Sequence, residues 1–342
     1  MSAISLKCPN CDGELIFDPG TQKYKCEYCN SLFSQEETAS VEKEPAGLPE
    51  SSAGVLYTCP SCGAEIVTDA TTAASFCYYC HNPVILKGRL EGEFLPDQIV
   101  PFSIDKEKAK NEFLRFFQKK KFIPKAFFQK KQMDHLSGIY FPYWIYRVSM
   151  KGHMAAKGTN VRKWRSGDLE YTETSFYEIE REGNMEFTNL MRNALKKANH
   201  ELAKGVFPYR MEEARPFSIG YLSGFQAEKR DIEKREIQSS LRQETEQYAQ
   251  TMLRESIQGY QSVTGVRSSC DAGSEQYAYT LLPIWTLTYQ GKDNKIYYYS
   301  MNGQTGKVWG KLPIDYKKVM LTAFGFACTV LAAGLLGGYF LW

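Results

Sequence analysis

The sequence has 342 residues, room for two or three domains, and a net charge of only +3 with 24% charged residues. The charge is uneven: residues 1–90 hold six Lys/Arg against eleven Asp/Glu, net −5, and the remainder is net +8. An acidic amino-terminal part argues against a nucleic-acid-binding head, which would carry a basic footprint. Ten cysteines, eight of them in paired motifs, suit metal sites in a reducing compartment rather than a secreted disulfide framework.

Residues 1–34 and 57–88 each contain two Cys-x-x-Cys pairs with fourteen residues between them. The first set is Cys8, Cys11, Cys26 and Cys29. The second is Cys59, Cys62, Cys77 and Cys80, each 51 positions after its counterpart. Two thiolates three positions apart grip one ion from a tight turn, and a second such pair closes a tetrahedron. Four sulfurs without a histidine at matching spacing predict two closed structural sites, for Zn²⁺ first and for a rubredoxin-like iron centre second. Each filled Zn²⁺ site is formally −2, so the ribbon end becomes more acidic still. Glu14 to Phe17 alternates and turns at Asp18-Pro19-Gly20, as a short hairpin does, and Ala64 to Val67 repeats the plan before Thr68-Asp69. His81, directly after the last cysteine, is expected at the surface or behind the ligands. Residues 35–56, rich in Glu, Pro, Ser and Gly up to Ala53, read as a flexible linker.

Residues 91–212 and 213–313 read as two related α+β units. Each has a Pro-Phe-Ser-Ile segment (Pro101–Ile104 and Pro216–Ile219), then a helical stretch, then a Pro-x-Trp strand (Pro142-Tyr143-Trp144 and Pro283-Ile284-Trp285). In the first unit Asp105 caps a helix whose apolar stripe is Ala109, Phe113, Phe116 and Phe117. The basic stretch Lys106–Lys131 follows, with Lys119, Lys120, Lys121, Lys125, Lys130 and Lys131 around Phe122, Phe127 and Phe128. It reads as a solvated helix end, as a patch for anionic headgroups, or as a single-strand nucleic-acid stacking surface. Tyr143–Lys157 is expected to be a hairpin around Lys151-Gly152, and Phe176–Phe187 another around Glu182-Gly183-Asn184, with a helix over Asn189–Ala203. In the second unit Ala227–Tyr260 predicts a long helix with Ile237, Leu241, Tyr248, Met252 and Leu253 as its apolar stripe. Strands are expected over Pro283–Gln290, Lys295–Met301 and Lys307–Lys311. They are joined by turns at residues 291–294 and at Asn302–Gly306. The last turn lacks the spacing and the Ser/Thr of a phosphate loop.

Val319 to Trp342 is a 24-residue run without a charge, preceded by Lys311, Lys317 and Lys318. As a helix it covers about 36 Å, enough to cross a hydrocarbon core of about 30 Å. The lysines place the bulk of the chain in the cytoplasm. With no basic-then-apolar leader and hence no signal peptide expected, the layout is that of a tail-anchored, single-pass protein of the cytoplasmic membrane. Gly334 and Gly338 permit close pairing of two such helices. The four histidines (81, 135, 153 and 200) show no paired spacing, and no hydrolase or metalloprotease signature occurs. Cys270 beside Asp271 reads as an incidental cysteine. No catalytic residue and no enzyme activity are expected.

The two ribbons, the Pro-Phe-Ser-Ile, Pro-Tyr-Trp and Asn-Gly-Gln-Thr-Gly-Lys segments and the hydrophobic tail together resemble the YdjG-type zinc-ribbon membrane proteins of Gram-positive bacteria, over essentially the whole chain. The resemblance implies that the eight cysteines hold two Zn²⁺ ions. It also implies a place beside a PspA-type membrane-stress protein and a flotillin-related (SPFH) protein, which the family is thought to help recruit to the membrane. Relatives are described as akin to transcription-factor or primosomal-helicase ribbons, and helicase motor motifs are absent here. The expectation is a membrane-tethered adaptor for PspA-like or SPFH-like partners, and the alternative is a nucleic-acid-binding regulator acting through Lys106–Lys131.

Overall fold

Three strands far longer than the usual 3–10 residues dominate the chain. They belong to a computed structural model that describes residues 3–38, 55–77, 80–86, 89–90, 92–120, 122, 136–196, 205–290, 296–310 and 314–341. The chain opens with β1 (Ala3–Ile4), β2 (Leu15–Asp18), β3 (Lys23–Cys26), β4 (Leu32–Phe33) and a helical turn, α1 (Gln35–Thr38). Next come β5 (Val55–Thr58), β6 (Glu65–Thr68), β7 (Thr72–Phe76), β8 (Pro83–Leu86) and β9 (Gln98–Ile99). Helix α2 (Lys106–Gln118) precedes β10 (Ser137–Ser166) and β11 (Leu169–Asn193). After β12 (Arg215–Pro216) and β13 (Gln226–Glu228) come helix α3 (Lys234–Glu255) and β14 (Ser262–Gln290). The chain ends with β15 (Ile296–Asn302), β16 (Val308–Gly310) and helix α4 (Tyr316–Leu341).

Among the described residues, the main sheet has eleven strands, in the order β1-β8-β7-β13-β10-β14-β15-β16, with β11 on β10 and β9, β12 beside β14. Its hydrophobic core gathers Phe102, Tyr140, Phe225 and Trp285. The Phe102 and Phe225 rings are stacked at 4.2 Å, and Tyr140 and Trp285 lie 4.9 and 5.1 Å from Phe102. Gly138 lies opposite Trp285, where a Cβ would come within 2.7 Å of the Phe225 ring, so only glycine leaves room for this cluster.

The two expected hairpins do not form. Residues 137–166 are one strand, and Gly152 sits directly across from Gly183 within the β10–β11 ladder. A side chain at Gly152 would strike Met185 and Leu253, so this glycine serves the packing of α3 against the sheet rather than a turn. The actual reversal is at Gly167-Asp168, where Gly167 has φ +61° and two residues link the strands, the loop length that suits a twisted hairpin. The expected helix over Asn189–Ala203 is also corrected: Asn189–Asn193 is the end of β11, and residues 197–203 lie outside the described residues.

Asp105 caps α2 as expected, accepting from the Lys108 amide at 2.8 Å, and Ala109, Phe113 and Phe117 are buried with Phe116 beside them. Of the basic stretch, Lys121 and residues 123–131 lie outside the described residues. Helix α3 is shorter than Ala227–Tyr260, because Gln226–Glu228 is paired as a strand. Its buried stripe is Ile237, Leu241, Thr245, Ala249 and Leu253; Tyr248 and Met252 are exposed. The β15–β16 turn is a hairpin as expected, with the Asn302 amide donating to Lys307 O at 2.9 Å; residues 291–294 lie outside the described residues.

Candidate metal centres

Each Cys-x-x-Cys pair folds as the same knuckle. The amide of the residue after the second cysteine donates back to the first cysteine's carbonyl: Asp12 to Cys8, Asn30 to Cys26, Gly63 to Cys59 and His81 to Cys77, all at 2.9 Å. Those four residues have φ between +57° and +74°, the left-handed region that Gly, Asn, Asp and His tolerate best. The first cysteine's own amide then bonds the next carbonyl, Gly13, Ser31, Ala64 or Asn82, at 2.6–2.9 Å. His81 is thereby explained: it is exposed and closes a turn, and it contributes no ligand.

The knuckles bring all eight predicted cysteines together as two groups of four, with the sulfurs of each group within 4.8 Å of one another. Cys8–Cys29 and Cys11–Cys26 are 3.6 and 3.5 Å apart, and Cys59–Cys80 and Cys62–Cys77 are both 3.7 Å apart. A tetrahedron of sulfurs about 2.3 Å from a metal has edges of about 3.8 Å, so the donor sets fit one ion each. None of the cysteines is in a disulfide. One cysteine of each knuckle is buried and its companion is more exposed.

Crowding four thiols shifts their titration. Burial pushes Cys80 up to about 12, with the three neighbouring sulfurs adding to the effect. The Gly13 amide favours the Cys11 thiolate, but burial and its sulfur neighbours outweigh it and raise Cys11 to about 12. Hydrogen bonding with the Ser31 side chain and backbone holds Cys29 down at about 6. A thiol raised by thiol neighbours is one that a cation in their midst would deprotonate.

The ribbons are fastened to the body. Strands β2, β3 and β4 form the first ribbon's own sheet. The Phe17 amide donates to Ser223 O at 3.1 Å, the Ser223 hydroxyl returns to Leu15 O, and the Phe17 and Tyr221 rings meet edge-on at 5.0 Å. The Gln22 side-chain amide donates to Phe102 O at 2.8 Å, reaching into the core cluster. In the second ribbon β5–β6 is a separate hairpin, but β7–β8 belongs to the main sheet, with Ala74 opposite Ala227 of β13. Strand β1 pairs with β8, and the Ser61 hydroxyl bonds Glu14, so the two ribbons also hold each other. Arg89, nearly buried, donates to Tyr57 OH at 2.9 Å and to the carbonyls of Asp69 and Thr72, bracing the hairpins that carry Cys59 and Cys77.

Three segments outside the ribbons, Pro101–Ile104, Pro283–Trp285 and Asn302–Lys307, converge on one another. Trp285 donates its indole N–H to Ile104 O at 3.0 Å, Ser103 and Ile104 amides donate to Gly303 O at 3.0 Å, and the Gly303 amide donates to Pro283 O at 2.9 Å. Asn302, fully buried, donates to Val206 O and Pro208 O and accepts from the Gln304 and Thr305 amides, which fills its hydrogen-bonding capacity. The Asn302–Lys307 turn is a lock on the Val206–Arg210 segment. Sequence reasoning missed buried Arg230, which stacks on Phe94, Trp144 and Tyr279 and pairs with Glu233 at the start of α3. Cys270 is half-buried on β14 under α3, where burial raises its thiol.

Helix α4 is long and apolar enough to cross a membrane, and none of its Tyr316–Gly334 window is buried against the rest of the chain. No protein-family model and no solved structure matches the chain. It is 31% identical over 326 residues to the uncharacterized protein YdjG of Bacillus subtilis (strain 168), covering 95% of this chain and 94% of that one. The chain belongs to the YdjG family.

Proposed function

We propose that this protein is a membrane-anchored adaptor: α4 crosses the cytoplasmic membrane once with the bulk of the chain in the cytoplasm, and two Zn²⁺-filled ribbons present a docking surface to cytosolic partners of the PspA-like or SPFH-like kind. The observation that carries the reading is that both cysteine clusters are fastened to a folded body whose carboxyl end is a 26-residue helix, unburied over Tyr316–Gly334. The three converging segments make internal locks, which leaves the ribbon surface for recognition. The ribbons do not swing on a tether in this reading; they offer one fixed face, where Tyr28 stands 85% exposed at a knuckle tip. Two related α+β units complete the proposal: Trp144 and Trp285 occupy equivalent places, each bonded to the carbonyl just ahead of a helix cap.

The nucleic-acid alternative has less support. On α2, Lys108 pairs with Asp105 at 3.2 Å, Lys110 with Glu107 at 2.8 Å and Arg115 with Glu112 at 2.8 Å, so much of that helix's positive charge is compensated.

The test is affinity capture of the full chain from detergent-solubilised, nuclease-treated membranes, comparing wild type with Tyr28→Ala and with Cys8/Cys11/Cys59/Cys62→Ser. A PspA-like or SPFH-like protein should co-elute with wild type, weaken with Tyr28→Ala while metal content stays full, and vanish with the cysteine variant. Capture that is nuclease-sensitive, or indifferent to both variants, contradicts the proposal.

A further inference from the structure

Beyond α3 and the core, β10, β11 and β14 run on as a three-stranded arm. Its outer part is exposed on both faces: Trp164 and Phe176 point to opposite sides of the sheet and are 43% and 80% exposed. Among the described residues, no strand pairs with the outer edge of β11, nor with that of β14 from Ser262 to Ala278. A free edge is a row of unmatched amides and carbonyls, which proteins normally guard with charge, proline or bulges.

The two edges are guarded very differently. Strand β11 carries Glu170, Glu173, Glu178, Glu180, Glu182 and Glu186, so a second β11 laid against it would meet like charge. Strand β14 has no lysine and no proline from Ser262 to Gln276, and most of that stretch is Ser, Gly, Ala or Thr. Irregularities in its pairing with β10 fall on either side of a regular run, Arg267–Ala272. Within that run Arg267 and Asp271 share a face, both are exposed, and neither makes an ion pair among the described residues. An antiparallel strand pair with two-fold symmetry must set one residue against its own copy. With Ser269 on that axis, Arg267 faces Asp271 of the second copy, and Asp271 faces its Arg267.

We infer that the Arg267–Ala272 edge of β14 is a self-complementary dimerisation surface, joining two copies of this chain antiparallel into one six-stranded arm. The pairing is isologous and closes, so it gives a dimer and not a fibre. The β11 edges remain on the outside of the joined sheet, where their glutamates prevent further growth. A six-residue strand contact is small, and confinement of both copies to one bilayer by α4 would raise their effective concentration. The inference stands apart from the adaptor reading: the edge, its charges and its symmetry do not involve the ribbons.

The experiment is light scattering of the full-length, metal-loaded chain in detergent over a concentration series, with Arg267→Asp, Asp271→Arg, the double exchange and Ser268→Pro. A wild-type dimer is expected. Each single reversal places like charges across both contacts and should raise the dissociation constant about tenfold or more. The double exchange should restore it, and Ser268→Pro, which removes an amide that faces the free edge because its partner Met154 bonds toward β11, should give monomer with full metal content. A monomeric wild type overturns the inference. So does a dimer that survives Ser268→Pro and both single reversals, since that dimer is held elsewhere, as by α4. A double exchange that stays as weak as the singles overturns the register.

Discussion

Trp144 on β10 and Trp285 on β14 lie on the same face of the sheet, and each fastens the start of a helix. Trp144 donates its indole N–H to Ile232 O at 2.9 Å, one residue before the Glu233 cap of α3, and Trp285 donates to Ile104 O at 3.0 Å, one residue before the Asp105 cap of α2. Replacing either with phenylalanine keeps most of the ring but strands a carbonyl. Trp144→Phe and Trp285→Phe should each lower stability by about 1–3 kcal/mol, read by denaturant unfolding of the purified chain. Similar values would mark the two tryptophans as equivalent; a cost confined to one would make the resemblance of their surroundings superficial.

Gly220 faces the Tyr24 ring of the first ribbon with no room for a Cβ. Gly220→Val should force the ribbon off the Ile219–Leu222 turn and cost about 1–3 kcal/mol. Hydrogen exchange should show lost protection at Leu15–Cys26 with bound metal unchanged. Unaltered exchange there would mean that the ribbon does not rest on this turn.

How much of this was legible beforehand divides by range. The cysteine sets, the α2 cap and the carboxyl-terminal helix were legible because each is local: fixed spacing, one capping side chain, an uninterrupted apolar run. The arm was not. Gly152 and Gly183 look like turn residues in one dimension, yet they face each other across a ladder, and what demands glycine at 152 is the packing of Met185 and Leu253. Tyr248 and Met252 fit a helical stripe, but the sheet beneath α3 selects the neighbouring row, Thr245 and Ala249. The ribbon seams at Ser223 (to Leu15) and Ala227 (to Ala74) join residues 208 and 153 positions apart, beyond the reach of periodicity. The αL positions Asp12, Asn30, Gly63 and His81 were readable, since all four follow a cysteine pair directly and suit a positive φ.

Purified protein should carry two equivalents of zinc per chain by elemental analysis, and iron or no metal would overturn the assignment. Because β7–β8 is part of the main sheet, stripping the metal with a chelator should loosen more than the ribbons. Amide exchange should also rise at β13, the strand that pairs with β7. Exchange that changes only around the cysteines would make the ribbons energetically separate from the body.

Arg242 holds Glu275 with two hydrogen bonds of 2.6 and 2.9 Å, tying α3 to β14, and Tyr146 adds a third at 3.2 Å. The Arg242 guanidinium keeps the Glu275 carboxyl below its ordinary value. A carboxylate depressed in the folded state stabilises fully above the unfolded value and loses that contribution as pH falls through the folded one. The stability advantage of wild type over Glu275→Gln should therefore be present at neutral pH and shrink below about pH 4. An advantage that grows on acidification would contradict this pairing.

The most direct test of the adaptor account follows the partner rather than the protein. Cells carrying the full chain, or the chain lacking Val319–Trp342, are separated into membrane and soluble fractions, and the captured PspA-like or SPFH-like protein is quantified in each. The account predicts that the full chain resists an alkaline wash and, before any such wash, holds the partner in the membrane fraction, and that the truncated chain carries the partner with it into the soluble fraction. A partner that stays on the membrane when the truncated chain has left it would show that its recruitment does not pass through this protein.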